Sequence, residues 1–430
     1  MELRSYWQAT APRFAGAARG PVEGRAEVAV IGAGFTGLAA ARQLARAGAR
    51  VVVLEGAEVG HGASARNGGH VNNGMAHGYA DAMAAFGRDR ARALYHAYDA
   101  AIDLIEEIVA TEGIDCDFRR AGKLKLASKA GHVAGLRASY ELIRREADPE
   151  TEFLSREDLR GEIGSEAFHG ALLYRKSAMM HMGRYIEGLA RAATAHGATI
   201  HESTPVTGLS RHEGAWRLDT PHGRLRADKV LVATGGYSAE FARKPFAHFL
   251  RRIVPVGSFV VATRALSADE VRATMPGNRT CVTTLNIGNY FRLSPDSRLI
   301  FGGRAKFSAR ADAQTDAASA TILRRQLAAV FPALADIPFD YCFGGLVDMT
   351  KDRLPRAGEL EDGLFFAMGY SGHGAQLSSY MGTVLADAML GRPDRNPLKD
   401  LPWPSIPGHA GKPWFLPLVG LHYRLKDILS

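Results

Sequence analysis

The sequence predicts an α/β chain, α+β overall. One unit is built on a parallel sheet, and inserts between its motif regions make it discontinuous and form a second unit. Three observations predict this. The stretch "AEVAVIGAGFTGLAAARQLARAGARVVVLEG" reads as strand, glycine turn, helix, strand and acid in order. A late "GYSGHGAQLSSYMG" packs glycines in front of a helix whose Leu377, Met381, Val384, Leu385 and Met389 share one side. Between these, residues from about 246 to 339 hold several strand candidates and one helix, "TILRRQLAAVF".

The 430 residues are enough for two or three domains. Apolar residues at 46% and charged residues at 23% suit a globular chain, and no run is apolar enough to span a bilayer. The start, "MELRSYWQATAPRF", lacks a signal-peptide core. Cys116, Cys281 and Cys342 form no CxxC pair, which argues against disulfides, zinc and iron–sulfur clusters, and no metal site is expected. A reducing cytoplasm is the expected compartment. The net charge of +8 comes without a Lys/Arg block, so no nucleic-acid partner is expected.

The first strand runs through Glu27 to Ile31 as a continuous apolar stretch, as a strand buried on both faces requires. Gly32, Gly34 and Gly37 then serve the tight turn, close approach of a pyrophosphate and helix–strand packing. Gly48 stops the helix. Glu55 ends the second strand, where an acid accepts from the ribose hydroxyls of a dinucleotide. NAD and FAD are both open at this point. The next stretch, "VGHGASARNGGHVNNG", favours FAD: Ser64 and Arg66 can donate to the pyrophosphate, and Asn67, Gly68 and Gly69 let backbone pass close to a flat ring.

"VIGAGFTGLAAA", "GASARNGG", "LVATGGYS" and "GYSGHGAQLSSYMG", in this order, resemble the FAD-dependent D-amino-acid oxidase-like superfamily. "IVPVGSFVVAT" and "NYFRLSPDSRLIFGGR" are further similar to its bacterial γ-glutamylputrescine oxidoreductase-like amine oxidases. The resemblance implies a Rossmann-type FAD-binding domain from residues 1–90, 165–245 and 340–395, and a discontinuous substrate domain, built on a mostly antiparallel sheet, from 91–164 and 246–339. Residues 396–430 are left as a tail, expected to wrap its own protein rather than touch a membrane through its apolar face. Val206 would meet the adenine through its backbone. Thr234 and Gly235 would close over the cofactor, and Gly372, His373 and Gly374 would meet the pyrimidine edge of the flavin. Donors at that helix start would stabilise the negative charge of reduced flavin. His373 reads either as a loop-packing residue or as a flavin or substrate contact.

The resemblance also implies amine oxidation, by hydride transfer from substrate carbon to flavin N5 and hydrolysis of the imine to an aldehyde and an amine or ammonia. The electron acceptor would be O2 or a respiratory carrier. Two departures matter. Sarcosine-oxidase-like relatives carry a carboxylate-clamping lysine where Gln376 stands, and an oxygen-promoting lysine where Ile300 stands. Gln376 argues against an α-carboxylate beside the reacting amine, and so against the alternative of a D-amino-acid or imino-acid dehydrogenase feeding a quinone. The cysteine used for flavin attachment in some relatives is replaced by Gly345, so FAD is expected to be non-covalent. Tyr290, Arg292, Arg304, Tyr370, Ser258 and Phe259 are the substrate-side candidates.

Overall fold

The computed structural model describes residues 1–303 and 317–429. Two eight-stranded sheets carry the chain. In the first, the strands Leu364–Met368, Gly223–Val232, Arg25–Ile31, Val51–Leu54 and Thr199–His201 lie side by side, each neighbouring pair parallel. Arg356–Glu361 adds an antiparallel edge. Arg25–Ile31 sits centrally, and Val28, Ala29, Val30 and Ile31 are all buried, as a two-sided strand demands. The helix Phe35–Arg46 returns the chain, capped by Ala47 and then Gly48 at φ +88°. Helix Met182–Ala195 feeds the edge strand Thr199–His201.

The second sheet runs Phe339–Met349, Val254–Ala265, Arg298–Gly303, Asn289–Leu293, Thr280–Thr283, Lys123–Leu126, Ala171–Tyr174, Glu152–Leu154. Only Thr280–Thr283 against Lys123–Leu126 is parallel. One face buries Leu124, Cys281, Phe291, Phe301, Phe259 and Cys342 in a core of its own. The alternate residues, including Lys123, Val282, Tyr290 and Ser258, face the cofactor-type unit.

Two strands fall across the expected boundaries. Phe339–Met349, read as starting the last cofactor segment, hydrogen-bonds along Val254–Ala265, and Ala171–Tyr174 pairs with Lys123–Leu126. Pairing partners so distant in sequence leave no mark on local composition. The helix Arg88–Thr111 likewise shares its core with Gly374–Met389, through Leu94, Tyr98, Ile102, Leu377 and Met381.

Candidate functional site

A cavity of about 460 Å³ lies between the two sheets. At one end the helix Phe35–Arg46 points its N-terminus into it, with Gly34, Phe35 and Thr36 on the wall. Gly32 holds φ +107°, and a Cβ there would come 2.8 Å from the Ala233 carbonyl oxygen. A Cβ on Gly34 would narrow the wall to 3.0 Å from Ser64 Oγ, and one on Gly37 would collide with the Gly32 carbonyl. Gly37 therefore acts behind the wall, in helix–strand packing, as its place in the triplet predicts. Ser64 Oγ accepts the Phe35 amide at 3.0 Å, which leaves its own proton for an anion at the helix start. Glu55 lines the cavity beside the turn, accepting from the amides of Ala33 (2.7 Å) and Ala57 (2.9 Å). Burial raises its carboxyl, and those two amides oppose the shift. Val206, Thr234 and Gly235 complete this end.

The next segment turns inward. Arg66, Asn67 and Gly68 line the cavity. Asn67 braces the turn itself, donating to the carbonyls of Ala63 and Ser64 and accepting from Gly69. Gly69 lies off the wall. Its φ is +78°, a Cβ would press on Trp7 at 2.7 Å, and its carbonyl accepts from Arg292. Of the "NGG" glycines, Gly68 alone serves the wall, and Gly69 serves packing behind it.

Beside the start of the helix Phe35–Arg46, the loop before Gly374–Met389 holds three left-handed residues, Gly369 (φ +81°), Ser371 (φ +53°) and Gly372 (φ +89°). Asp348 sets this loop by accepting the Gly369 amide at 2.6 Å, and its burial pushes the carboxyl up to about 6. Gly372, His373 and Gly374 line the cavity, and the His373 ring also meets Tyr98 edge-on. Gln376 is on the wall and buried, and its Nε2 has no partner among the described residues. Tyr370 reaches Thr36 through a 2.8 Å hydroxyl contact. The sequence did not single out Asp348; a lone acid separated from the glycine loop by two further strands, Arg356–Glu361 and Leu364–Met368, gives no motif.

The second sheet supplies the opposite wall. Tyr290 is wedged between glycines: a Cβ on Gly68 would approach its ring to 2.7 Å, and one on Gly302 would collide with it. Its hydroxyl lies 3.0 Å from Ser258 Oγ. Phe259 points the other way, into the second core. Arg292 is corrected from a substrate contact to a structural tie. It is 1% exposed, donates to the carbonyls of Leu293, Gly69 and Met180, and lies over the Trp7 ring at 5.3 Å. It does not line the cavity. Ile300 is likewise buried off the wall, and Arg304 lies outside the described residues.

Besides Asp348, the wall residues His70, Asn72 and Lys123 were not anticipated. His70 stands edge-on to Tyr290, its Nε2 unpartnered among the described residues, and burial near Arg292 and Lys123 lowers it to about 3. Asn72 accepts from Thr280 at 2.7 Å. Lys123 Nζ donates to the Asn73 carbonyl at 2.6 Å and lies 4.0 Å over the Tyr174 ring, and burial lowers it to about 7.

A glycine-lined helix start, an acid at the end of the next strand and a second glycine loop opening a helix define a dinucleotide-type flavoprotein site, and the residues present fit FAD. Residues 27–388 match the DAO family of FAD dependent oxidoreductases, and the chain belongs to that family. It is similar to a probable oxidoreductase, OrdL, of Haemophilus influenzae, at 34% identity over 89% of this chain and 87% of that protein. It is also similar to the γ-glutamylputrescine oxidoreductase of Escherichia coli, at 31% identity over 94% and 93%. In fold it matches the crystal structure of glycine oxidase from Geobacillus kaustophilus, with a TM-score of 0.75 at 24% identity, covering 90% of this chain and 100% of that one. The protein is an FAD-dependent amine or amino-acid oxidoreductase.

Proposed function

We propose that this chain oxidises an amine with no carboxylate on its reacting carbon, a secondary amine or the amine end of a polyamine-derived compound of the γ-glutamylputrescine kind. One observation carries this: the helix start of the second glycine loop presents a buried neutral amide, Gln376, to the cavity and no cation of its own. Gln376 is a buried neutral amide, Arg292 is committed to three carbonyls, and His70 is held neutral by burial. The chemistry FAD would supply when bound is acceptance of a hydride from the carbon beside nitrogen, with the nitrogen's proton lost; water then hydrolyses the imine to an aldehyde and an amine or ammonia.

The chain's own residues bind and orient. Neutral His70 and the Tyr290–Ser258 hydroxyl pair present uncharged polar groups to a substrate nitrogen. Lys123 is the cation on the second-sheet wall among the described residues, and it takes a remote acidic group of the substrate. The likeness to an enzyme named for γ-glutamylputrescine supports the same class.

Anaerobic bleaching of the flavin across polyamine derivatives, N-methyl amino acids and D-amino acids tests the proposal. Amines with a remote acidic group, or none, are expected to bleach it fastest at subsaturating concentration. Faster bleaching by an N-methyl or D-α-amino acid would overturn it and favour the imino-acid dehydrogenase alternative.

A further inference from the structure

Six of the nine large apolar side chains exposed among the described residues lie between 414 and 429. Five belong to the helix Leu416–Leu429, and Trp414 precedes it. At 3.6 residues per turn, Leu418, Leu421, Leu425 and Ile428 form one stripe, with Leu429 beside it. They are 63%, 54%, 51% and 73% exposed, values that leave the stripe uncovered. The inward side is fixed independently. Leu416 and Gly420 are buried there, and the Asp427 carboxylate accepts from the Asn286 amide (2.8 Å), Asn286 Nδ2 (2.7 Å) and the Ile287 amide (2.8 Å).

The charges on this helix say what covers the stripe. Asp427, its one acid, is turned inward. Arg424 and Lys426 are exposed and flank the stripe on opposite sides. A second copy laid stripe to stripe would bring these cations against their own counterparts, with no acid of either helix between them. An apolar surface with a negative rim complements both features at once. Fourteen residues make a helix of about 21 Å, too short to cross a hydrocarbon core of about 30 Å, so it suits the plane of an interface.

We propose that the helix Leu416–Leu429 lies on an anionic lipid bilayer, with Trp414, Leu418, Leu421, Leu425 and Ile428 among the acyl chains and Arg424 and Lys426 at the headgroups. Leu285, Asn286 and Gly288 line the cavity, and Asp427 holds that loop, so docking brings one cavity wall within about a helix diameter, 10–12 Å, of lipid.

The test is sedimentation of the full FAD-loaded chain with phosphatidylcholine vesicles and with vesicles of three parts phosphatidylcholine to one part phosphatidylglycerol. Binding is expected to the mixed vesicles, to weaken in high salt, and to fall at least about tenfold in Leu421→Asp/Leu425→Asp. Arg424→Gln/Lys426→Gln is expected to lose roughly thirtyfold. All four side chains are exposed, so flavin content per chain should stay unchanged in both variants and shows that they fold. No sedimentation with mixed vesicles overturns the proposal. So does a dimer in analytical ultracentrifugation that Leu421→Asp/Leu425→Asp dissolves in the absence of any vesicle binding, which would assign the stripe to a second copy.

Discussion

Ala33, in the glycine turn, donates its amide proton to Glu55 Oε2 at 2.7 Å, and so fixes the acid of the second strand against the turn of the first. Together with Ala57 this occupies one acceptor site on each carboxylate oxygen and leaves others facing the cavity. Glu55→Ala removes both amide acceptors and the cavity-facing ones. FAD affinity is expected to fall by about 1–3 kcal/mol, read as the dissociation constant in a flavin-fluorescence titration. An unchanged constant would place Glu55 outside the cofactor contact.

FAD is expected to come away intact when the protein is denatured by acid or heat. Cys116, Cys281 and Cys342 are all buried, and none lines the cavity. The nearest in sequence to the attachment position, Cys342, points into the second sheet's core. Burial also pushes the Cys116 thiol up to about 12, away from the reactive thiolate. Flavin remaining on the precipitated polypeptide would contradict this.

What the sequence made legible follows from backbone demands. Gly32, Gly37, Gly369 and Gly372 are dictated by a turn, a close approach or a positive φ, and such demands leave glycine in the text. The second-sheet wall depends on register between segments far apart. Lys123 reaches the cavity because it pairs with Thr280, two residues from the Val282 that pairs with Tyr290. No local pattern carries that. Arg292 shows the converse: it alternates correctly with Tyr290, yet carbonyls from two other segments and the Trp7 ring claim it.

Asp348 gives a pH signature. Its folded value of about 6 stands above the ordinary 3.8, with burial the cause and the loop amides opposing. The folded chain therefore holds this proton more tightly than the unfolded chain does. The resulting stability is fully present below about pH 4 and is lost as pH rises through about 6, roughly 3 kcal/mol in all. Asp348→Asn keeps an acceptor for Gly369 but cannot ionise. With FAD saturating throughout, denaturant unfolding should show the native chain losing stability relative to this variant between pH 4 and 6. Parallel curves would show that Asp348 does not carry the shift.

Lys123 separates recognition of a remote acidic group from chemistry at the amine. Its Nζ is held by the Asn73 carbonyl and the Tyr174 ring, contacts that suit a cation, while burial lowers it to about 7. Below that value it is charged and can bind a carboxylate; above it the charge is lost. Amines with a remote carboxylate should therefore bind progressively less well as pH rises past about 7, whereas diamines without one should not share that loss. Lys123→Met keeps much of the side-chain length and removes the charge. The acidic substrates should then lose roughly 1.5–3 kcal/mol of binding, about ten- to a hundredfold. The limiting rate of flavin reduction should change far less, because Lys123 is not assigned to the reacting carbon. The diamines serve as the control for folding and flavin loading. A variant that slows acidic and non-acidic amines equally, with the pH dependence intact, would mean that Lys123 supports the wall without recognising the substrate's acid.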